Sequence, residues 1–186
     1  MKELAQCIEN IKTIVNSIDE ETFEKHYKVP LNCSDLPMLN PGDESQCFTK
    51  LPNFFGALNI DKQPAIYWFI ITSNHTPKQI MSKIEKANGN VKRKFPLLVR
   101  KRTYKFESKV LYVGKTWSEL KSRMVSHLGY HKNHDNHGLQ LCHWAVDLEL
   151  KLELNYIILH KKFEGLTELF ERELSKQLKP IIGKEV

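Results

Sequence analysis

The chain has 186 residues, of which 41% are hydrophobic and 27% are charged, and its formal net charge is +6. These values fit one ordinary globular domain with a sizeable core, and they exclude a largely disordered chain. The lack of a long apolar run argues against a transmembrane helix, and the N-terminus lacks the apolar core of a secretory signal peptide. Four cysteines form no CxxC pair, so we expect free thiols in a reducing cytoplasm.

Positive charge is concentrated in one short segment. Residues 83–109 hold ten lysines or arginines and two glutamates, whereas residues 1–50 hold five lysines and nine acidic residues. Such asymmetry suits a polyanionic partner. On charge alone, a solvated basic face explains the pattern equally well.

Hydrophobic periodicity predicts the first elements of the chain. Apolar residues at helical spacing predict a helix over residues 1–18. Residues 28–64 are rich in Pro, Asn, Gly and Asp, which predicts irregular structure. The apolar and β-branched run 65–73 predicts a buried strand, residues 76–90 predict a capped helix, and residues 109–114 predict a second buried strand.

The second strand leads into a helix through an abrupt turn. Gly114 and Lys115 lie in this predicted turn, and Thr116 with Glu119 forms a capping-box pattern that starts a helix ending at Leu128. A polar loop at 129–138, one or two strands within 139–160 and a last helix over 167–179 follow. This order of elements predicts an α+β domain with a small sheet.

The helix that ends at Leu128 carries two polar side chains beside its apolar stripe. Arg123 and His127 lie one turn apart, roughly 80° from the stripe. Together with Lys115 at the helix N-terminus, they indicate a phosphate-binding site. The alternative is that Arg123 pairs with Glu119, one turn earlier, on the surface.

The last helix carries three glutamates at different angles to its apolar stripe. By helical geometry Glu171 lies about 60° from the centre of the stripe, Glu173 about 100° and Glu168 about 120°. Glu171 is therefore expected to point furthest inward, and a half-buried carboxylate needs a cation or a metal as its partner. Tyr67 and Tyr112, in the two predicted strands, are each expected to pack in the core with the hydroxyl at its rim.

These residues occur in an order that resembles the GIY-YIG endonuclease superfamily. The matching segments are AIY at 65–67, YVG at 112–114 with Lys115, Arg123 with His127, and Glu171 nine residues before Pro180. The resemblance covers about residues 64–183. It implies a small, mainly three-stranded antiparallel sheet flanked by helices. It also implies an N-terminal helix and irregular arm at 1–63, and a nuclease domain at 64–186 with a basic insertion at 73–108.

The resemblance further implies hydrolysis of phosphodiester bonds in double-stranded DNA with Mg²⁺, or another divalent cation such as Mn²⁺. Glu171 would be the metal ligand, and Tyr67 would activate or orient the attacking water. Arg123 would hold the non-bridging oxygens as charge builds in the transition state. The residues that would position that water or the phosphate are Tyr112, Lys115 and His127.

Three features depart from the family pattern. Ala65 replaces the first glycine of the tripeptide, and Gly183 stands where the family commonly has Asn. The insertion 73–108 lengthens the gap between the two tyrosines, and contact with DNA would explain its positive charge. Its predicted DNA contacts are Lys92, Arg93, Lys94, Arg100, Lys101, Arg102 and Lys105.

Potential metal ligands also cluster after the helix, at His131, His134, His137, Cys142 and His143. Imidazole and thiolate groups could bind Zn²⁺. Their spacing matches no zinc knuckle or finger, which favours a solvated loop that touches the DNA backbone. The text HKNHDNH also suggests an HNH nuclease, but it lacks the ββα context of that class.

Three classes of function follow: a metal-dependent endonuclease, a nucleic-acid-binding module of the same fold that does not cut, and a zinc-stabilised interaction domain. The joint presence of Tyr67, Arg123 and Glu171 favours the first, because binding alone needs no inward glutamate beside a phosphate. A sequence-specific, restriction-type enzyme fits the small chain, and a symmetric recognition site would favour a homodimer. A repair or recombination nuclease is the alternative.

Overall fold

A four-stranded antiparallel sheet is the framework of the fold. The structure, a computed structural model, describes residues 2–19, 23–37, 44–58, 62–88, 108–117, 119–133 and 138–183. Its strands are β1 (Phe23–Asn32), β2 (Ala65–Ile71), β3 (Val110–Thr116) and β4 (Lys151–Leu159). The order across the sheet is β1-β4-β2-β3, so β1 and β3 are the edge strands.

Six α-helices lie within the described residues: α1 (Lys2–Asn16), α2 (Glu44–Lys50), α3 (Pro52–Gly56), α4 (Pro77–Asn88), α5 (Leu120–Leu128) and α6 (Thr167–Leu178). Short 3₁₀ segments occupy Cys33–Asp35, Leu141–His143 and Lys161–Leu166. The architecture is therefore α+β, as the order of elements predicts. Nowhere in the described part of the chain is a helix long and apolar enough to cross a membrane.

The strands β4, β2 and β3 form the three-stranded core that was expected, and β1 adds a fourth strand. The prediction of irregular structure over 28–64 is wrong at β1, which continues to Asn32, and at α2 and α3. In β1, Val29 and Leu31 are buried while Lys28 and Pro30 are exposed. This alternation is a strand pattern that Pro30 obscures, and proline is tolerated because β1 is an edge strand.

The two faces of the sheet build two separate apolar clusters. Alternate residues of a strand point to opposite faces, so Tyr67 and Phe69 enter the main core while Ile66 points to the other side. The main core also takes in buried residues of α4 and α5. The second cluster surrounds Ile66 with Phe170 and Leu174 of α6. Helices α5 and α6 therefore lie on opposite faces of the same strands.

The passage from β3 to α5 differs from the prediction. Gly114 and Lys115 belong to β3, which runs to Thr116, and α5 begins only at Leu120. Thr116 still organises the turn, because its Oγ1 accepts a hydrogen bond from the Glu119 backbone N–H at 3.3 Å. Strand pairing to β2 holds the segment extended, so the predicted turn at Gly114 is wrong.

The chain end completes the edge beside β3. Ile182 forms a parallel bridge with Tyr112, and the backbone N–H groups of Ile181 and Ile182 donate to Val110 and Leu111 at 2.9 Å. This short segment covers the first half of the outer edge of β3. The second half of that edge, after Tyr112, faces α6.

We predict that β1 is an integral part of the core. Leu31 is buried against β4, so Leu31→Ala should lower the free energy of unfolding by about 2–5 kcal/mol. Lys28→Ala, on the exposed face of the same strand, should cost no more than about 1 kcal/mol. Urea unfolding of both variants measures the difference, and equal costs would show that β1 does not belong to the core.

Candidate active site

The hydroxyl of Tyr67 is the centre of a buried polar group on the inner face of the sheet. Tyr67 is fully buried in β2, and its Oη lies 2.8 Å from His127 Nε2. Arg123 Nε–H donates to the same oxygen at 3.0 Å. Both partners come from α5, where they are one turn apart. The predicted surface pair of Arg123 with Glu119 gives way to this contact, because Tyr67 lies on the core side of the helix.

Burial and one neighbouring cation control the protonation of this group. Burial, together with the nearby Arg123 charge, holds the pKa of His127 well below its usual range, so the ring is neutral at neutral pH. Burial also raises the pKa of the Tyr67 hydroxyl, and Tyr112 and Glu171 add to that rise against the opposing effect of Arg123. Tyr67 is therefore protonated in the free protein.

Arg123 stays charged in this partly buried position. Burial by itself lowers its pKa, but the hydroxyls of Tyr67 and Tyr112 raise it above its ordinary value. The site thus holds one permanent cation beside a neutral imidazole. A second positive charge on His127 would be repelled by the first in a region of low dielectric.

Gly114 makes the approach of the tyrosines possible. It lies directly opposite Tyr67 in the pairing of β2 with β3. A Cβ at this position would lie 2.6 Å from Tyr67 Oη and 2.6 Å from Tyr112 Cε1, which is closer than such atoms approach. The glycine is therefore required by close packing of two rings rather than by the predicted turn.

A charged group lies on the other face of the same edge strand. Lys115 Nζ is 3.2 Å from an oxygen of Glu171 and 3.3 Å from an oxygen of Glu168, both on α6. The side chain of Glu171 is 26% exposed, against 49% for Glu173 and 77% for Glu168, so Glu171 points furthest inward, as its helical angle predicts. Lys115 is not at a helix N-terminus as expected; it pairs with a carboxylate instead.

The two groups meet around β3 because it is an edge strand. Tyr112 and Gly114 face α5, whereas Lys115, between them and the strand end, faces α6. The charge of Glu171 contributes to the raised pKa of Tyr67, which places the two within electrostatic reach. The structure therefore brings together all six predicted catalytic residues: Tyr67, Tyr112, Lys115, Arg123, His127 and Glu171.

Other predicted residues fall outside this assembly. The predicted DNA contacts Lys92, Arg93, Lys94, Arg100, Lys101, Arg102 and Lys105 lie outside the described residues, as do His134 and His137. Among the residues that are described, no group of three or more His, Cys, Asp or Glu side chains is arranged to hold a metal ion.

The two family departures that the structure describes have different surroundings. Ala65 is fully buried in β2. Gly183 follows the bridge to Tyr112 with a φ of +145°, a conformation that side chains rarely adopt. An asparagine at 183 would be strained there, so the glycine is a backbone requirement of this chain end.

Three neighbours of the site escaped the sequence interpretation. Glu168 shares Lys115 with Glu171, and Trp117 is 44% exposed with its ring centroid 5.5 Å from Lys115 Nζ. The backbone N–H of Leu139 donates to His127 Nδ1 at 3.1 Å. The helical spacing of Glu168 and Glu171, three residues apart, could have indicated the first; the other two depend on how the chain folds back.

We predict that Gly114→Ala disturbs the tyrosine pair. The added methyl group must push two buried rings apart, so the free energy of unfolding should fall by about 1–3 kcal/mol. Gly56→Ala is the matched control, because a Cβ there meets nothing within 4 Å. Urea unfolding compares the two, and a Gly114→Ala variant as stable as its control would mean that the rings do not pack so closely.

We predict a pH dependence of stability that belongs to His127. Its folded-state pKa is depressed, so below about pH 6.5 the unfolded chain takes up a proton that the folded protein does not. Stability should therefore be complete above that pH and should fall by about 1.4 kcal/mol per pH unit below it. Urea unfolding across this range should show a smaller slope in His127→Gln. Identical slopes in both proteins would contradict the prediction.

Comparisons with known proteins returned no relative that could assign a chemistry to these residues. No protein-family model matches the chain, and no curated protein or solved structure matches it either.

Proposed function

We propose that the protein is a metal-dependent DNA endonuclease of the GIY-YIG type, which hydrolyses phosphodiester bonds. The observation that carries this proposal is the meeting of a buried Tyr67–Arg123–His127 group with the inward carboxylate of Glu171 around one strand edge. A surface that only binds a polyanion needs cations, but it gains nothing from a half-buried carboxylate among them. Phosphodiester hydrolysis uses both.

Arg123 supplies the fixed positive charge that the reaction requires. Its Nε–H is committed to Tyr67, which holds the guanidinium plane in place and leaves its terminal N–H groups for further acceptors. Phosphate oxygens that gain charge in the transition state are suitable acceptors. Because Arg123 is held before substrate binds, little reorganisation is needed when the charge develops.

Tyr67 and Lys115 would position the reactants on either side of the strand. The Tyr67 hydroxyl is the polar end of an otherwise packed ring and would orient the attacking water. Lys115 already contacts two carboxylates, and its ammonium is a strong partner for a phosphate oxygen. Tyr112 and His127 complete the set through their contacts with each other and with Tyr67.

The carboxylate of Glu171 fits a divalent cation. It is partly buried, it carries its charge next to a cationic group, and Glu168 offers a second carboxylate one turn away. Mg²⁺ prefers such oxygen ligands and keeps several waters, and Mn²⁺ accepts the same donors. When bound, the metal would stabilise negative charge on the scissile phosphate and the leaving oxygen.

The biological setting that best fits the site is a sequence-specific, restriction-type endonuclease acting on double-stranded DNA as a homodimer, in the cytoplasm. The basic residues between positions 92 and 105 would contact the DNA backbone, where lysine and arginine neutralise phosphates. A repair or recombination nuclease would use the same chemistry.

The test is cleavage of mixed-sequence duplex DNA with Mg²⁺ by the wild type, by Glu171→Gln and by Glu173→Gln. Loss of the inward carboxylate should reduce cleavage at least about 100-fold while DNA binding remains within a few-fold of the wild type. Glu173, which pairs with Lys176 at 2.8 Å on the outer side of α6, is the matched control and should retain activity. EDTA should abolish cleavage by every variant.

Two results would contradict the proposal. Cleavage by Glu171→Gln at the rate of the wild type would remove the carboxylate from the reaction. Salt-sensitive DNA binding by a wild type that cuts no DNA with Mg²⁺ or Mn²⁺ would instead support a binding module of the same fold.

A further inference from the structure

The hydrogen bonds of His127 define which of its ring nitrogens carries the proton. The backbone N–H of Leu139 points at Nδ1 from 3.1 Å, and a backbone N–H can only donate. Nδ1 must therefore present its lone pair. Because the low pKa keeps the ring neutral, the one ring proton resides on Nε2.

The tautomer sets the direction of the hydrogen bond to Tyr67. Nε2–H donates to Tyr67 Oη at 2.8 Å, and Arg123 Nε–H donates to the same oxygen at 3.0 Å. The phenol oxygen thus accepts two N–H donors. Its own proton points toward neither of them.

We propose that the segment Gly138–Leu139 locks His127 in the Nε2–H form, so that His127 positions Tyr67 as a hydrogen-bond donor and is not the base that takes its proton. This inference rests on the proposed function for its role in the reaction, but the tautomer itself does not. His127 offers Tyr67 no lone pair, because Nε2 carries hydrogen and Nδ1 is engaged by Leu139. Any proton that Tyr67 releases goes to another group.

The segment is held from several sides. A Cβ on Gly138 would collide with the backbone oxygen of Ser126, so only glycine lets this segment lie against the end of α5. The carbonyl oxygen of Leu139 accepts a hydrogen bond at 2.8 Å from Nε1–H of the buried Trp144. Both polar groups of the Leu139 backbone are therefore engaged, one by His127 and the other by Trp144, which fixes the aim of its N–H.

A positioning role separates two variants that a structural role would not. His127→Gln places an amide N–H₂ where Nε2–H was and can still donate to Tyr67, whereas His127→Glu places an accepting carboxylate there. We expect His127→Gln to retain at least about 10-fold more cleavage activity than His127→Glu, through kcat rather than KM. Equal activities, or a more active His127→Glu, would overturn the proposal, since a carboxylate is the better substitute for a base.

The direct test needs no activity and no variant that might fail to fold. In the full-length protein labelled with ¹⁵N in the histidine rings, two-bond proton–nitrogen correlations distinguish a protonated from an unprotonated ring nitrogen. The signal that disappears in His127→Gln should show a protonated Nε2 and an unprotonated Nδ1 at neutral pH. A proton on Nδ1 would overturn the proposal.

The same spectrum connects the lock to Leu139. Leu139→Pro removes the N–H, and its control, Leu139→Met, keeps the N–H and most of the side-chain volume. Leu139→Met should keep the pure Nε2–H signal, whereas Leu139→Pro should give a mixture of tautomers; the Nε2–H signal unchanged in Leu139→Pro would overturn the role of this segment. A wild type that cuts no DNA would refute the proposed function and leave the tautomer result standing.

Discussion

The buried hydroxyl of Tyr67 is the constraint around which the rest of the site is arranged. A phenol oxygen removed from water needs hydrogen-bond partners, since leaving it unsatisfied costs about 1–3 kcal/mol. Two donors from one helix provide them, so α5 must pack with Arg123 and His127 toward β2. The close approach of the ring then requires a glycine at 114 on the neighbouring strand. One polar atom in the core thereby sets the register of a strand, the face of a helix and the identity of a small residue.

Charge in the site follows from the same burial. An arginine retains its proton in such surroundings, while an imidazole beside it gives its own up. The result is a fixed cation and a neutral donor acting on one oxygen. Across the edge strand, Lys115 and Glu171 form the opposite kind of pair, in which both members are ionic and partly reachable from solvent. An enzyme that handles a phosphodiester needs both kinds of group: a rigid cation beside the reacting atoms and an exchangeable ion pair where phosphate and metal arrive.

Strong local signals made parts of the fold predictable. The apolar run of β2, the capped α4 and the amphipathic α6 lie where the sequence places them, because each is defined by contacts within its own segment. The strand β1 was missed because Pro30 and its polar neighbours disguise an edge strand whose pairing partner, β4, lies more than a hundred residues away. The start of α5 was placed too early because Gly114 has two possible uses, a turn or a close approach, and spacing does not distinguish them.

The sequence by itself determined the order of the six site residues, the one-turn spacing of Arg123 and His127, and the inward angle of Glu171. These follow from helical periodicity, which depends only on neighbours along the chain. Tertiary structure alone decided which partner each residue meets: Arg123 contacts Tyr67, 56 positions earlier, rather than Glu119 on its own helix. It also placed Lys115 against α6 and the Leu139 backbone against His127. Periodicity gives the direction in which a side chain points, but only the packing of distant segments determines what lies in that direction.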